Sequence, residues 1–331
     1  MIHTTMTAIR SPFNHVVAFE VSKEQLVVHA LPADEQCCIA NRPQAVRRLL
    51  KAEIKRNRKD GHGPLLIVCE ATGGYERHVL DAAIELGLAV HRAHGARVRF
   101  FARYLGLAAK TDPIDARMLA QYGRQTEDLR LYTPPPPECQ ALRALQARRA
   151  EIQDMIIAET NRLEHVRYKS VLKGLRAHIA VLEAQLKAIE AEIAELVRST
   201  DSLRDKVRLM RTVKGVGLIT ATTLLAYLPD IGQLSKGQVA RRTGLAPINN
   251  DSGKTRAPRH VEPGRREIRR CLYMAAVVAT RFNPVLREFA QRLKARGYPF
   301  KYVITAVMRK LVVILNAVLR TGQPCKAAQI A

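Results

Sequence analysis

Asp112 and Asp115 sit in the run Lys110-Thr111-Asp112-Pro113-Ile114-Asp115-Ala116-Arg117-Met118-Leu119-Ala120. Aspartate followed by proline predicts a helix start, with the acid as cap and the proline where no N–H is lost. Three residues apart in one first turn, the two carboxylates can point to one side and share a cation. Alone, such a pair is an ordinary helix start. Glu70 and Glu20 upstream give it company, each in or beside a predicted strand. Glu20 shares a strand face with Val16 and Ala18, and an acid in so apolar a strand needs a partner. Glu70 ends the run Leu65-Leu66-Ile67-Val68-Cys69, at the carboxyl end of a buried strand, where α/β folds place their chemistry. Further on, Ser252 lies in Asn249-Asn250-Asp251-Ser252-Gly253-Lys254-Thr255-Arg256, a polar, turn-rich loop. From Lys254 to Arg281 there are eight Lys or Arg (Lys254, Arg256, Arg259, Arg265, Arg266, Arg269, Arg270, Arg281) against Glu262 and Glu267. A serine beside so many cations could attack a phosphodiester whose charge they stabilise.

The elements that must hold these groups follow from patterning. Val16–Val21 and Gln25–Ala30, split by Ser22-Lys23-Glu24, predict a hairpin, with a third short strand near Cys37 to Ala40. A basic helix over 43–58, a turn at Asp60-Gly61-His62-Gly63-Pro64, the Glu70 strand, a helix over 76–86 and a strand over 89–94 follow. Between Glu85 and Asp112 no acid occurs, while Arg97, Arg99, Arg103 and Lys110 alternate with Phe100, Phe101 and Tyr104. Cations with aromatics suit a nucleic-acid backbone and its bases, and suit equally the solvated face of an amphipathic helix. Thr133-Pro134-Pro135-Pro136-Pro137 is a stiff linker and a domain boundary. Beyond it, helix runs from 138 to about 198, with Gly174 as a possible break. Ile179, Leu182, Leu186, Ile189, Ile193 and Leu196 form a coiled-coil seam there, expected to pack on a second subunit. Lys214-Gly215-Val216-Gly217 joins two apolar helices, a pattern like a helix-hairpin-helix whose amides bind phosphate, although such glycines also serve close packing. The expected division is therefore 1–132, 133–205 and 206–331.

Composition narrows the partners. With 331 residues and 47% apolar content the chain folds, and 54 Lys+Arg against 30 Asp+Glu give a net charge of +24. A polyanion is the default partner, with nucleic acid favoured over membrane. No apolar run is expected to approach the roughly 18 to 20 residues of a membrane span, and a cytoplasmic location, at the nucleoid of a bacterial cell, is the expectation. The six cysteines show no CxxC pair and no ligand spacing with histidine, so reduced thiols are expected.

Strand order and acid placement in the first part resemble the RNase H-like fold of RuvC-type resolvases. The wider set, Glu70-Ala71-Thr72-Gly73, the Asp112 run, Gly215-Val216-Gly217, Asp251-Ser252-Gly253 and Arg269-Arg270-Cys271-Leu272-Tyr273-Met274-Ala275, looks like the DEDD transposases of insertion sequences. These are relatives of the Piv invertase and include bridge-RNA-guided recombinases. The resemblance implies an α/β RuvC-like domain, long coiled-coil helices and a mostly helical C-terminal domain with a helix-hairpin-helix-like element. It implies that Glu20, Glu70, Asp112 and Asp115 bind Mg²⁺ or Mn²⁺ and that Ser252 is a nucleophile forming a phosphoserine link to DNA in a composite site. It further implies target and donor DNA, a structured guide RNA, and a homo-oligomer (dimer or tetramer) as partners. Lys214, Gly215, Gly217 and the cations named above would contact nucleic acid. One departure matters: the family begins Gly-Ile-Asp, whereas Ala18-Phe19-Glu20 moves the carboxylate by one methylene. An invertase without guide RNA, or an impaired nucleic-acid-binding relative, are the alternatives.

Overall fold

The predicted hairpin forms from β1 (His15–Val21) and β2 (Gln25–Leu31), and β3 (Glu35–Ala40) extends it. This computed structural model describes residues 13–106, 111–127, 129–248, 251–252, 255–256, 260–261 and 264–325. They fall into two compact units, Met1–Pro134 and Pro135–Ala331. In the first, α1 (Pro43–Asp60), β4 (Leu65–Glu70), α2 (Arg77–Glu85), β5 (Ala89–Ala93), α3 (Gly95–Tyr104) and α4 (Asp112–Gln125) follow the hairpin. The sheet order is β3-β2-β1-β4-β5, with β4 parallel to β1 and β5, and β2 antiparallel to its neighbours.

Alternation along the central strands sorts the two layers. Val17, Phe19, Ile67 and Cys69 bury against Val46 and Leu50 of α1 and Val79, Leu80 and Ala83 of α2. Val16, Ala18, Leu66 and Val68 bury on the opposite face with Val98 of α3 and Leu119, Ala120 and Tyr122 of α4. At about 1.5–3 kcal/mol per fully buried aliphatic or aromatic side chain, these two faces fix the register, because a one-residue slip would exchange them. Gly123 lets α4 lie close on the sheet: a Cβ there would come within 2.7 Å of Val68 Cγ2.

The second unit is helical: α5 (Pro137–His165), α6 (Lys169–Ser199), α7 (Asp201–Arg211), α8 (Leu218–Tyr227) and α9 (Lys236–Arg242). A small β arm follows, β6 (Pro247–Ile248), β7 (Asp251–Ser252), β8 (Thr255–Arg256) and β9 (His260–Val261), then α10 (Arg266–Phe282), α11 (Pro284–Ala295) and α12 (Phe300–Thr321). Pro137 opens α5, where its missing N–H costs nothing. The long helical region breaks at 166–168, not at Gly174, which lies inside α6. The seam expected to meet a second subunit is covered within the chain: α6 folds back along α5, Leu182 and Ile193 are buried, and Ile189, Ile193 and Leu196 join the core that contains Leu142 and Leu145. Arg149 to Glu190 (2.7 Å) and Glu159 to His178 (3.5 Å) tie the antiparallel pair. A short turn between two helices makes the intramolecular partner the nearest one.

Among the described residues one helix, α12, is long and apolar enough to cross a membrane, contrary to the expectation from the sequence. Here it is a core helix. Val303, Val307, Leu311 and Leu315 are fully buried, and buried Asn316 accepts from the Gly232 amide (2.8 Å) and donates to the Leu234 carbonyl (2.7 Å). Such a polar group is tolerated in a core because both of its functions are satisfied.

Candidate active site

Phe19 and Cys69 form the last pair between β1 and β4, so Glu20 and Glu70 stand one step beyond that pair on neighbouring parallel strands. Strand alternation puts both on the face that carries α3 and α4. Glu70 occupies a recess that depends on Gly95, the first residue of α3. A Cβ on Gly95 would come 2.0 Å from Glu70 Oε1, so only glycine leaves room for this carboxylate. The N-terminal amides of a helix also favour an anion at that end.

Asp112 and Asp115 both fall in the first turn of α4. The expectation that Asp112 caps the helix is corrected: Thr111 holds the N-cap position with φ −147° and ψ 150°, and its carbonyl accepts from the Asp115 amide (2.8 Å). Asp112 is exposed and Asp115 half-buried. The start of α4 is held toward the outer strands, where Gln36 Nε2 donates to the Pro113 carbonyl (3.2 Å) and Arg117 pairs with Asp34 (3.1 Å). Its far end packs on β1 and β4 through Gly123. α4 thus crosses the sheet, and its two acids lie on the same face as Glu20 and Glu70 but begin over a different strand. Among the described residues no three His, Cys, Asp or Glu side chains form a group that could hold a metal ion.

Two further residues shape this end of the sheet, and sequence reasoning passed over both. Gly95 is one; its signal was a glycine directly after the strand that neighbours Glu70. The other is Glu76, which is buried and accepts from the Gly74 amide (2.8 Å), the Thr72 amide and the Thr72 hydroxyl (both 3.2 Å), and from Arg92. Burial pushes its carboxyl up, but its own amide, those of Gly74 and Thr72, and the Arg92 guanidinium outweigh that and hold it below the ordinary range. Glu76 therefore ties down the 71–75 loop that follows Glu70. The acid two residues after Gly73-Gly74 was its visible trace.

In the second unit, Ser252 pairs with Thr255 and Asp251 with Arg256, so the serine stands on a short antiparallel strand pair. Lys110, Lys254 and Arg259 lie outside the described residues. β6 pairs with β9. A Cβ on Gly264 would lie 2.5 Å from Gly244 Cα, a backbone contact that glycine alone permits.

The cations assigned to nucleic acid divide into two groups. Arg97, Arg99 and Arg103 are exposed on α3 beside exposed Phe100 and Tyr104, while Phe101 packs edge-on to Tyr122 (5.6 Å). Lys214, Arg265 and Arg266 are exposed and Arg269 half-buried. Arg270, however, reaches Asp154 of α5 (2.5 Å), and Arg266 lies 3.8 Å from the same acid. The Gly215 turn serves packing. Gly215 has φ 102°, a Cβ on it would meet the Ala279 backbone at 2.9 Å, and Asn283 donates to the Lys214 carbonyl (3.4 Å). Gly217 is open and precedes α8.

A mixed sheet of this order, with acids near the carboxyl ends of two adjacent parallel strands, is compatible with an RNase H-like domain. Comparison with known proteins makes the assignment narrower. A family profile described as transposase matches residues 15–167, and one described as transposase IS116/IS110/IS902 family matches 207–291. The pilin gene-inverting proteins of Moraxella lacunata and Moraxella bovis are each 30% identical over 267 residues, covering 78% of this chain and 81% of theirs. The insertion element IS110 uncharacterized 43.6 kDa protein of Streptomyces coelicolor is 26% identical over 154 residues, 46% of this chain and 37% of its own. The chain belongs to the IS110-type DEDD transposase family, and its activity is that of a DNA recombinase or transposase. Family membership brings with it DNA binding and suggests a divalent metal cation.

Proposed function

We propose that this chain cuts and rejoins DNA strands through a covalent Ser252–DNA phosphodiester, with Glu20, Glu70, Asp112 and Asp115 as the acids that hold a divalent cation, Mg²⁺ or Mn²⁺. The observation that carries the metal role is the Gly95 recess. It seats the Glu70 carboxylate against the start of α3, in space a Cβ would fill, with Glu20 on the neighbouring parallel strand. A bound divalent cation would supply charge neutralisation at a phosphodiester oxygen. Bringing the first turn of α4 toward the ends of β1 and β4 completes the set. The extra methylene of Glu20, relative to the family's aspartate, is accommodated in that assembly.

At Ser252 the Oγ–P bond forms as the P–O bond to the leaving strand breaks, and the serine proton ends on the leaving hydroxyl. Attack by the hydroxyl of a different strand reverses the step, returns the proton to serine and reseals the DNA. One phosphodiester bond is conserved throughout, so no ATP is required. Arg256 and the neighbouring Lys254 and Arg259 would offset charge on the phosphorane. The exposed Arg97, Arg99 and Arg103, with Phe100 and Tyr104, offer a surface for backbone and base contacts. A structured guide RNA that pairs with target and donor DNA would leave sequence recognition to base pairing. The similarity to the pilin gene-inverting proteins supports a second reading, DNA inversion, which would act at fixed sites without RNA.

A nicked suicide substrate in the presence of Mg²⁺ should trap a protein–DNA adduct that maps to Ser252, and Ser252→Ala should bind DNA yet form none. Normal cleavage by Ser252→Ala with no adduct would sink the serine mechanism. Sequencing nucleic acid retained through gentle purification separates the two readings: a discrete structured RNA supports guided recombination, and its absence supports inversion without RNA.

A further inference from the structure

The turn between α11 and α12 carries an aromatic group that none of the roles above uses. Gly297, at φ 81°, ends α11, its amide returning to the Lys294 carbonyl (2.9 Å) and that of Tyr298 to the Leu293 carbonyl (3.3 Å). Pro299 then caps α12 in an extended conformation. A left-handed glycine followed by a proline two residues on makes a stiff turn. It holds the Tyr298 and Tyr302 rings 4.4 Å apart and 13° from parallel. Both stay open to solvent, 41% and 48% exposed, with Phe300 between them in sequence at 53%. Three exposed rings within five residues form an apolar surface that a folded chain ordinarily buries.

The surroundings say what would cover it. Lys294, Arg296 and Lys301 are exposed around the turn, and the chain has no acidic residue after Glu288. A second copy docking through the same patch would bring like charges together, which is unfavourable. A polyanion with flat apolar faces satisfies both the rings and the cations. Duplex DNA hides its base faces, whereas strand exchange exposes unpaired ones.

We propose that Tyr298, Phe300 and Tyr302 are a stacking platform for unpaired bases of single-stranded DNA, with Lys294, Arg296 and Lys301 on the flanking phosphates. This site rests on the recombinase activity of the family and is independent of the serine chemistry. Stacking on aromatic rings tolerates any base, so the platform holds an opened strand without reading its sequence.

The test uses the full chain and a short single-stranded DNA with one 2-aminopurine, whose fluorescence is quenched by stacking. The wild-type chain should quench it, and the double variant Tyr298→Ala/Tyr302→Ala should lose the quench and about 5- to 100-fold in affinity. Affinity for duplex DNA of the same length should stay unchanged. Tyr298→Phe/Tyr302→Phe should keep the quench, since the ring and not the hydroxyl is needed. If the alanine variant fails to fold by circular dichroism, Tyr298→Leu/Tyr302→Leu retains bulk while removing the rings. Unaltered quench and affinity in a folded ring-less variant would overturn the platform, as would equal loss for single strands and duplex. Tighter, more strongly quenched binding of RNA of the same sequence would overturn the assignment to DNA. Ser252→Ala protein should quench like the wild type, so a failed serine mechanism would leave this result in place.

Discussion

If Glu70 holds the cation as proposed, its contact with Gly95 makes one missing side chain a requirement of the site. The atom that a new Cβ would strike is the far end of a flexible glutamate, so the fold need not yield, but the carboxylate must. Alanine also favours a helix over glycine by about 1 kcal/mol. Gly95→Ala should therefore leave Tm unchanged or slightly raised in calorimetry while recombination falls, by about 100-fold if the carboxylate shifts by an ångström. Wild-type recombination by Gly95→Ala would show that the recess has no part in the chemistry. Gly264 is the contrasting case, because its neighbour is the Gly244 backbone, which has nowhere to rotate.

Pairing of α5 with α6 changes what the apolar seam predicts. Ile193 is fully buried in the core that contains Leu142, and Leu186 is half-buried on the same side of α6. Ile193→Ala should cost about 2–5 kcal/mol of stability, the usual penalty for truncating a buried aliphatic side chain. Chemical denaturation would read that loss as a shift in midpoint at unchanged slope. Leu186→Glu should likewise lower stability while leaving the mass in light scattering as it was. A smaller mass without loss of stability would return the seam to an interface between subunits.

Across the whole chain, the two units differ in how they respond to acid. The first buries three histidines among its described residues, His15, His29 and His91. Burial lowers His91 and His29, outweighing the Arg130 carbonyl that accepts from His91 Nδ1 (2.8 Å) and Asp34 beside His29 (3.0 Å). The fold favours the neutral form of each. Their contribution is complete above the unfolded pKa of about 6.5 and is lost as pH falls from there through the lowered folded value. Burial also acts to lower His15, but Glu53 (3.0 Å) and Asn57 (2.9 Å) overcome it and raise the group. Its contribution is complete below about 6.5 and is lost as pH rises through the raised value. Below about pH 6.5 the His15 contribution is already complete and stays constant, while those of His29 and His91 are lost, so the first unit becomes less stable as pH falls further. The second unit buries no histidine among its described residues. Calorimetry should show two transitions, with the one from residues 13–134 moving further down on acidification. An equal shift of both would contradict the histidine assignment.

Period-two runs such as Val16–Val21 and Leu65–Glu70 were enough to set the strands, because side-chain alternation is a local property of the backbone. The face shared by Val16, Ala18 and Glu20 followed from the same parity, and acids flanking the Asp112-Pro113 helix start were legible as residues that could bind a cation. Nothing local told which helix would cover the Ile179–Leu196 seam, since an apolar stripe specifies a partner surface but not its address. Nor did local pattern reveal the direction in which α4 crosses the sheet, which depends on Gly123 meeting Val68 and Pro113 meeting Gln36 across long stretches of chain. α12 was apolar enough for lipid and went to the core because α10 and α11 offered it apolar surface. The positions of Glu76 and Gly95 left a trace in the sequence, but their roles did not, for a related reason. What each one does is defined by atoms its neighbours in sequence do not carry, the guanidinium of Arg92 for one and the carboxylate of Glu70 for the other. Sequence alone thus determined the elements and the inventory of reactive groups, and tertiary packing decided which of those groups meet.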